Sequence, residues 1–136
     1  MFGWCQGDLS LFNAGELLND ESLKNEAILL VENSRKISFE ESNINDFGIC
    51  HGATGIIIQY HLLGIKMDID VSQEIKKWLK VVNQQTKNHE VFLAHQGHGE
   101  YESDFGLLTG AAGLGIVLLT LENKISSDWL VAINLH

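Results

Sequence analysis

Two cysteines and a histidine in this 136-residue chain have the types and spacing to do chemistry together: Cys5 in "WCQGD", and the adjacent Cys50 and His51 in "ICHGATGIII". Zinc binds thiolate and imidazole well. Three protein ligands leave a fourth tetrahedral position for water or substrate, the arrangement of catalytic rather than structural sites. The spacing belongs to no zinc finger, because Cys5 stands alone and the other two residues are consecutive. Neighbours on a helix point about 100° apart, so Cys50 and His51 reach one metal readily only at a helix start. There the exposed N–H groups and the helix dipole also favour thiolate over thiol. A plainer reading stands beside this one, since a lone cysteine is commonly a small buried apolar residue. On spacing alone both readings are open.

Other candidates carry less. His95 and His98 in "AHQGHGE", with Glu100, suggest a second metal site, but loop histidines without a clear ligand set, in a stretch that also holds His89, are usually solvated. His61 falls on an apolar stretch and is expected to be a hydrogen-bonded core histidine. "GAAGLG" (residues 110–115) resembles part of a nucleotide-binding glycine loop, yet it lacks the preceding strand and the ribose-binding acid. Helix packing explains it better. Trp4, beside Cys5, either lines a peptide groove or simply packs.

The totals bound what surrounds these residues. Hydrophobic residues make up 45% of the chain, enough to build the core of one ordinary domain. Eighteen acidic against nine basic residues give a net charge of −9, which opposes phosphate backbones and anionic lipid. Nucleic acid and membrane surfaces are therefore poor partners. No basic stretch leads into an apolar one at the amino terminus, and two cysteines make no disulfide framework, so the expected compartment is the cytoplasm. Residues 48–65 carry no Asp, Glu, Lys or Arg, but two histidines, a glutamine and several glycines make this a buried core helix rather than a membrane span.

The elements that must position the candidates read as helices. Apolar anchors predict helices over 10–18, over about 23–35 after the N-cap residues of "NDES", and over 51–63, the last apolar on nearly every side. Residues 70–85 form an amphipathic helix, with Val71, Ile75, Trp78, Leu79 and Val82 on one face and three lysines toward the other. A further apolar helix spans 107–122. Residues 37–47 and 86–104 read as loops, and 128–135 as a short helix or strand. Glycine-rich steps open the apolar helices, "GATG" at 52–55 and "GAAGLG" at 110–115, with a weaker relative, "QGDLSLFNAG", at 6–15. The pattern suggests hairpins of a buried inner helix and a half-exposed outer one, stacked as a ring or solenoid. An irregular helical bundle fits these residues about equally well.

Three blocks, "WCQGD", "CHGATGI" (50–56) and "LLTGAAGLGIVLL" (107–119), resemble the successive signature blocks of the lanthionine synthetase C-like cyclases, in that family's order and at about its separations. The resemblance runs from Trp4 to the tail and corresponds to about the C-terminal third of the family's domain. It implies an all-α fold, part of an α/α toroid of inner and outer helices, with residues 1–136 as a single partial domain. It implies that Cys5, Cys50 and His51 are the ligands of a Zn2+ ion at one end of the inner ring. It also implies a substrate, a precursor peptide whose cysteine binds as thiolate and adds to dehydroalanine or dehydrobutyrine, closing the thioether rings of lantibiotic-type peptides.

The departures from the pattern shape the expectation. Gln6 stands where the family has tyrosine, so the chain offers an amide in place of a phenol beside Cys5. Leu9 and Ser10 replace the family's "PG", Ala53-Thr54 inverts the usual order, and Thr109 stands where glutamate is frequent. The family's acid/base histidine and aspartate, and an arginine, precede the first zinc cysteine in sequence that this chain does not contain. The expectation is a zinc-binding part with no catalytic residue beyond the ligands. It would need the missing amino-terminal portion of the toroid, or self-association, to cover the flanks of its inner helices. By itself it would close no rings. The alternative is a non-catalytic zinc- or peptide-binding module that keeps the fold without cyclase activity.

Overall fold

With no proline in the chain, the helices must be stopped by other means. Four of them end at an asparagine or aspartate in the left-handed region: Asn19 (φ 51°), Asn43 (φ 57°), Asp68 (φ 51°) and Asn123 (φ 53°). Short polar side chains tolerate that conformation better than most residues do. The computed structural model describes residues 11–44, 46–88, 93–95 and 101–133.

The described chain is all-α apart from one small hairpin. Helix α1 (Leu11–Leu18) is followed by α2 (Glu21–Ser34), whose first turn is capped by Asp20 accepting the Ser22 and Leu23 N–H groups at 2.9 and 3.2 Å. A one-turn helix α3 (Phe39–Ser42) interrupts the stretch expected to be loop. Its cause is a capping box. The Ser38 hydroxyl accepts the Glu41 N–H, and the Glu41 carboxylate accepts the Ser38 N–H at 2.9 Å, which holds Glu41 below the usual carboxylate range. Helices α4 (Ala53–Met67) and α5 (Ser72–Asn88) form the central hairpin, and α6 (Ala111–Leu121) packs on α4. The chain closes on a 3-10 segment, Ser127–Ile133. Within residues 86–104, α5 continues to Asn88, and strands β1 (Leu93–His95) and β2 (Tyr101–Ser103) pair antiparallel with His95 opposite Tyr101. An apolar run ahead of a glycine-bearing link supplies what a hairpin needs. The loop expectation there is corrected.

The core sits around α4. Every residue from Ala53 to Tyr60 is buried, as the all-round apolar pattern predicts, whereas α2 contributes only Ala27, Val31 and Ser34. Trp78, Val81 and Val82 of α5 close one side of α4, and Leu114 and Val117 of α6 close another. Tyr60 is tied to α2. Its hydroxyl lies 2.6 Å from that of Ser34, which itself donates to the Val31 carbonyl at 2.7 Å, so Tyr60 is the donor to Ser34. Burial pushes the Tyr60 phenol up from its ordinary value. The 3-10 segment is tied to α6 in a similar way, the Trp129 indole donating to the Thr120 hydroxyl at 2.9 Å. The other flank of α6 is open: Leu118 and Leu119 are 38% and 47% exposed, and Phe105 just before the helix is 70% exposed. Among the described residues no helix is long and apolar enough to cross a membrane.

Not every buried side chain is matched to this core. Gln59 lies inside on α4, and neither its amide oxygen nor its nitrogen finds a hydrogen-bond partner among the described residues. An unmade buried hydrogen bond costs about 1–3 kcal/mol. Gln59→Met, which keeps the volume and removes both polar atoms, is therefore expected to raise the unfolding free energy by about that amount. Urea denaturation reads it directly, and a destabilised variant would mean that the amide is satisfied.

Candidate functional site

Asp46-Phe47-Gly48 opens a turn that runs straight into α4. The Gly48 N–H donates to the Asp46 carboxylate at 3.0 Å, the Gly52 N–H to the Gly48 carbonyl at 3.0 Å, and the Ala53 N–H to the Asp46 carbonyl at 3.0 Å. Gly52 remains extended at φ −103°, ψ −176°, and only then does the helix begin. Cys50, half-buried, and His51, exposed, lie inside this turn. They precede the helix rather than start it, which corrects the expected helix beginning at His51. The reason is visible in the bonds: the N–H groups of residues 52 and 53 are committed backward to the Asp46 turn.

The turn brings the two side chains together. Cys50 Sγ and His51 Nε2 are 3.7 Å apart. Zinc–sulfur and zinc–nitrogen bonds of about 2.3 and 2.0–2.1 Å, opened to a tetrahedral angle, would set two donors about 3.6 Å apart. The pair therefore spans one edge of such a site. Among the described residues no cluster of three His, Cys, Asp or Glu side chains accompanies it. Cys5, with Trp4 and Gln6, lies outside the described residues, as do His89, His98 and Glu100. His95 is placed by the backbone of β1. His61, expected in the core, is only half-buried, and burial lowers its pKa from the ordinary histidine value.

A second turn of the same construction stands beside the first. Asp104-Phe105-Gly106 opens it, the Gly106 N–H donates to the Asp104 carboxylate at 2.6 Å, the Gly110 N–H to the Gly106 carbonyl at 3.1 Å, and the Ala111 N–H to the Asp104 carbonyl at 3.0 Å. Position by position, Leu108 corresponds to Cys50 and Thr109 to His51. The Thr109 hydroxyl donates to the other Asp104 oxygen at 2.5 Å. That bond first, and the Gly106 N–H second, hold the Asp104 carboxyl below the usual carboxylate range.

The two turns are hydrogen-bonded at equivalent positions, the Cys50 N–H donating to the Leu108 carbonyl at 2.9 Å. Only glycine fits between them. A Cβ on Gly48 would come within 2.9 Å of both the Leu108 oxygen and the Thr109 Cα. The two glycine-rich steps stand out in the sequence, whereas the aspartates that organise them are not among the residues its motifs single out. The available signal was the tripeptide Asp-Phe-Gly, present before each step at 46–48 and 104–106.

A family model described as lanthionine synthetase C-like protein matches residues 2–133, nearly the whole chain. No curated protein matches it.

Proposed function

We propose, from the premise that this chain belongs to the lanthionine synthetase C-like family, that Cys5, Cys50 and His51 hold a zinc ion that serves thioether ring formation in a dehydrated precursor peptide. The observation that carries this reading is the 3.7 Å separation of Cys50 Sγ and His51 Nε2, which suits two donors on one tetrahedral metal. When bound, such an ion supplies the Lewis acidity that lets a peptide cysteine lose its proton near neutral pH. The sulfur lone pair then forms a C–S bond to the β-carbon of a dehydroalanine or dehydrobutyrine, and the α-carbon takes up a proton.

The chain's own residues act by placement. Cys50 and His51 present adjacent donors from a turn whose backbone N–H groups are committed at both ends, so little ordering is left for binding to supply. Gln6, beside Cys5, can hold a hydrogen bond but cannot exchange a phenolic proton. That substitution favours a second reading, a zinc- or peptide-binding module without cyclase activity. Thioether formation on a dehydrated peptide separates the two.

The zinc assignment is tested by metal analysis. Wild type is expected to hold about one equivalent of zinc, in keeping with a single three-ligand site, and Cys50→Ser to lose it. Zinc near one equivalent in both proteins would exclude the ligand set.

A further inference from the structure

We infer that Asp104 and Thr109 are positioning residues for the Cys50–His51 donor pair, acting through the Leu108 carbonyl that accepts the Cys50 N–H. The inference rests on the zinc reading above. Cys50 lies in the turn ahead of α4. Its backbone is anchored on Leu108, 2.9 Å away in the second turn. The orientation of the Leu108 peptide is in turn set on both sides. Asp104 gathers the Gly106 N–H at 2.6 Å and the Thr109 hydroxyl at 2.5 Å, so one carboxylate fixes the chain before and after Leu108.

Gly48 closes the arrangement from the other side, lying against the Leu108–Thr109 peptide where a Cβ would come 2.9 Å from each. A shift of that peptide would therefore be transmitted to Gly48 and Cys50 together. Thr109 occupies in the second turn the position that His51 occupies in the first. One turn thus supplies the donors and its structural twin supplies the frame. Groups that orient ligands from outside the coordination shell typically matter by about 10–100-fold in metal affinity.

Thr109→Val tests this, because it removes the hydroxyl at constant volume from a residue that is exposed. Zinc affinity, measured by competition with a chromophoric chelator, is expected to weaken about tenfold, with Thr109→Ser restoring it. The thiolate-to-metal absorption of the cobalt-substituted protein should shift in the valine variant and return in the serine variant. A change in the fold alone would not produce that pattern, and far-UV circular dichroism should be the same in all three proteins. Zinc affinity of Thr109→Val within about twofold of wild type, with Cys50→Ser devoid of metal, would overturn the positioning role and leave the zinc reading standing. A wild-type protein without zinc would overturn both.

Discussion

Gly55→Ala is expected to destabilise the protein by about 3 kcal/mol or more, the upper range for forcing atoms into a filled interior. A Cβ at this position would overlap the Ile49 carbonyl oxygen. That oxygen is backbone, held in the turn that carries Cys50, so no rotamer change relieves the clash. The only relief is to move the turn away from α4, which breaks the bonds from the Gly52, Ala53 and Gly55 N–H groups back to Gly48 and Asp46. Gly115→Ala is the matched control. It lies within the other glycine-rich step, inside α6, and a Cβ there meets nothing within 4 Å. Alanine in an unobstructed helix interior is better than glycine by about 0.5–1 kcal/mol, so this variant should be slightly more stable. Chemical denaturation of both proteins decides the matter. Equal effects would show that the glycines are interchangeable helix-packing residues, against the geometry described.

The second large effect is on pH. A thiol must lose its proton to bind zinc, and an ordinary cysteine does so only near pH 8.5. Each thiol ligand therefore costs about one decade of affinity per pH unit below that value. With Cys5 and Cys50 both bound, affinity should fall by about three decades between pH 8 and pH 6.5, and it should recover fully on return. The sign follows from the chemistry: acid supplies the competing proton, so binding is strongest at the alkaline end. Competition titrations at several pH values give the slope. About one decade per unit would mean that a single thiol is bound and would remove one of the two cysteines from the ligand set. Cys5→Ser should show that lower slope, which makes the two cysteines separable by one experiment.

Much of the helical order could be read from the chain because burial and periodicity dominate it. The apolar run around Ile56–Ile58 and the five-residue stripe of α5 leave few alternatives to a buried helix followed by an amphipathic one. Boundaries were less legible where local polar chemistry overrode the pattern. "SFEE" at 38–41 is a capping-box sequence embedded in a polar stretch, and its one-turn helix follows from Ser38 and Glu41 rather than from any apolar face. The start of α4 was displaced by two residues for a related reason. Nothing in the residue types of Cys50 and His51 forbids helix, but the backward bonds from Gly52 and Ala53 to the Asp46 turn delay it. The donor pair itself was visible as a pair. The frame was not, because Asp104 and Thr109 act on Cys50 through a backbone carbonyl, and a contact made through backbone leaves no mark on which residue sits at position 108.

The bond from the Cys50 N–H to the Leu108 carbonyl also has a consequence for the order of assembly. The α4–α5 hairpin is made of neighbouring elements and can form early, since its contacts close only a short loop. The partner of Cys50 lies beyond that whole hairpin and beyond β1 and β2, so the chain must close a long loop before the two turns meet. The donor geometry is therefore among the last features to mature. A nascent chain that has not yet reached Asp104 carries Cys50 and His51 without the turn that frames them.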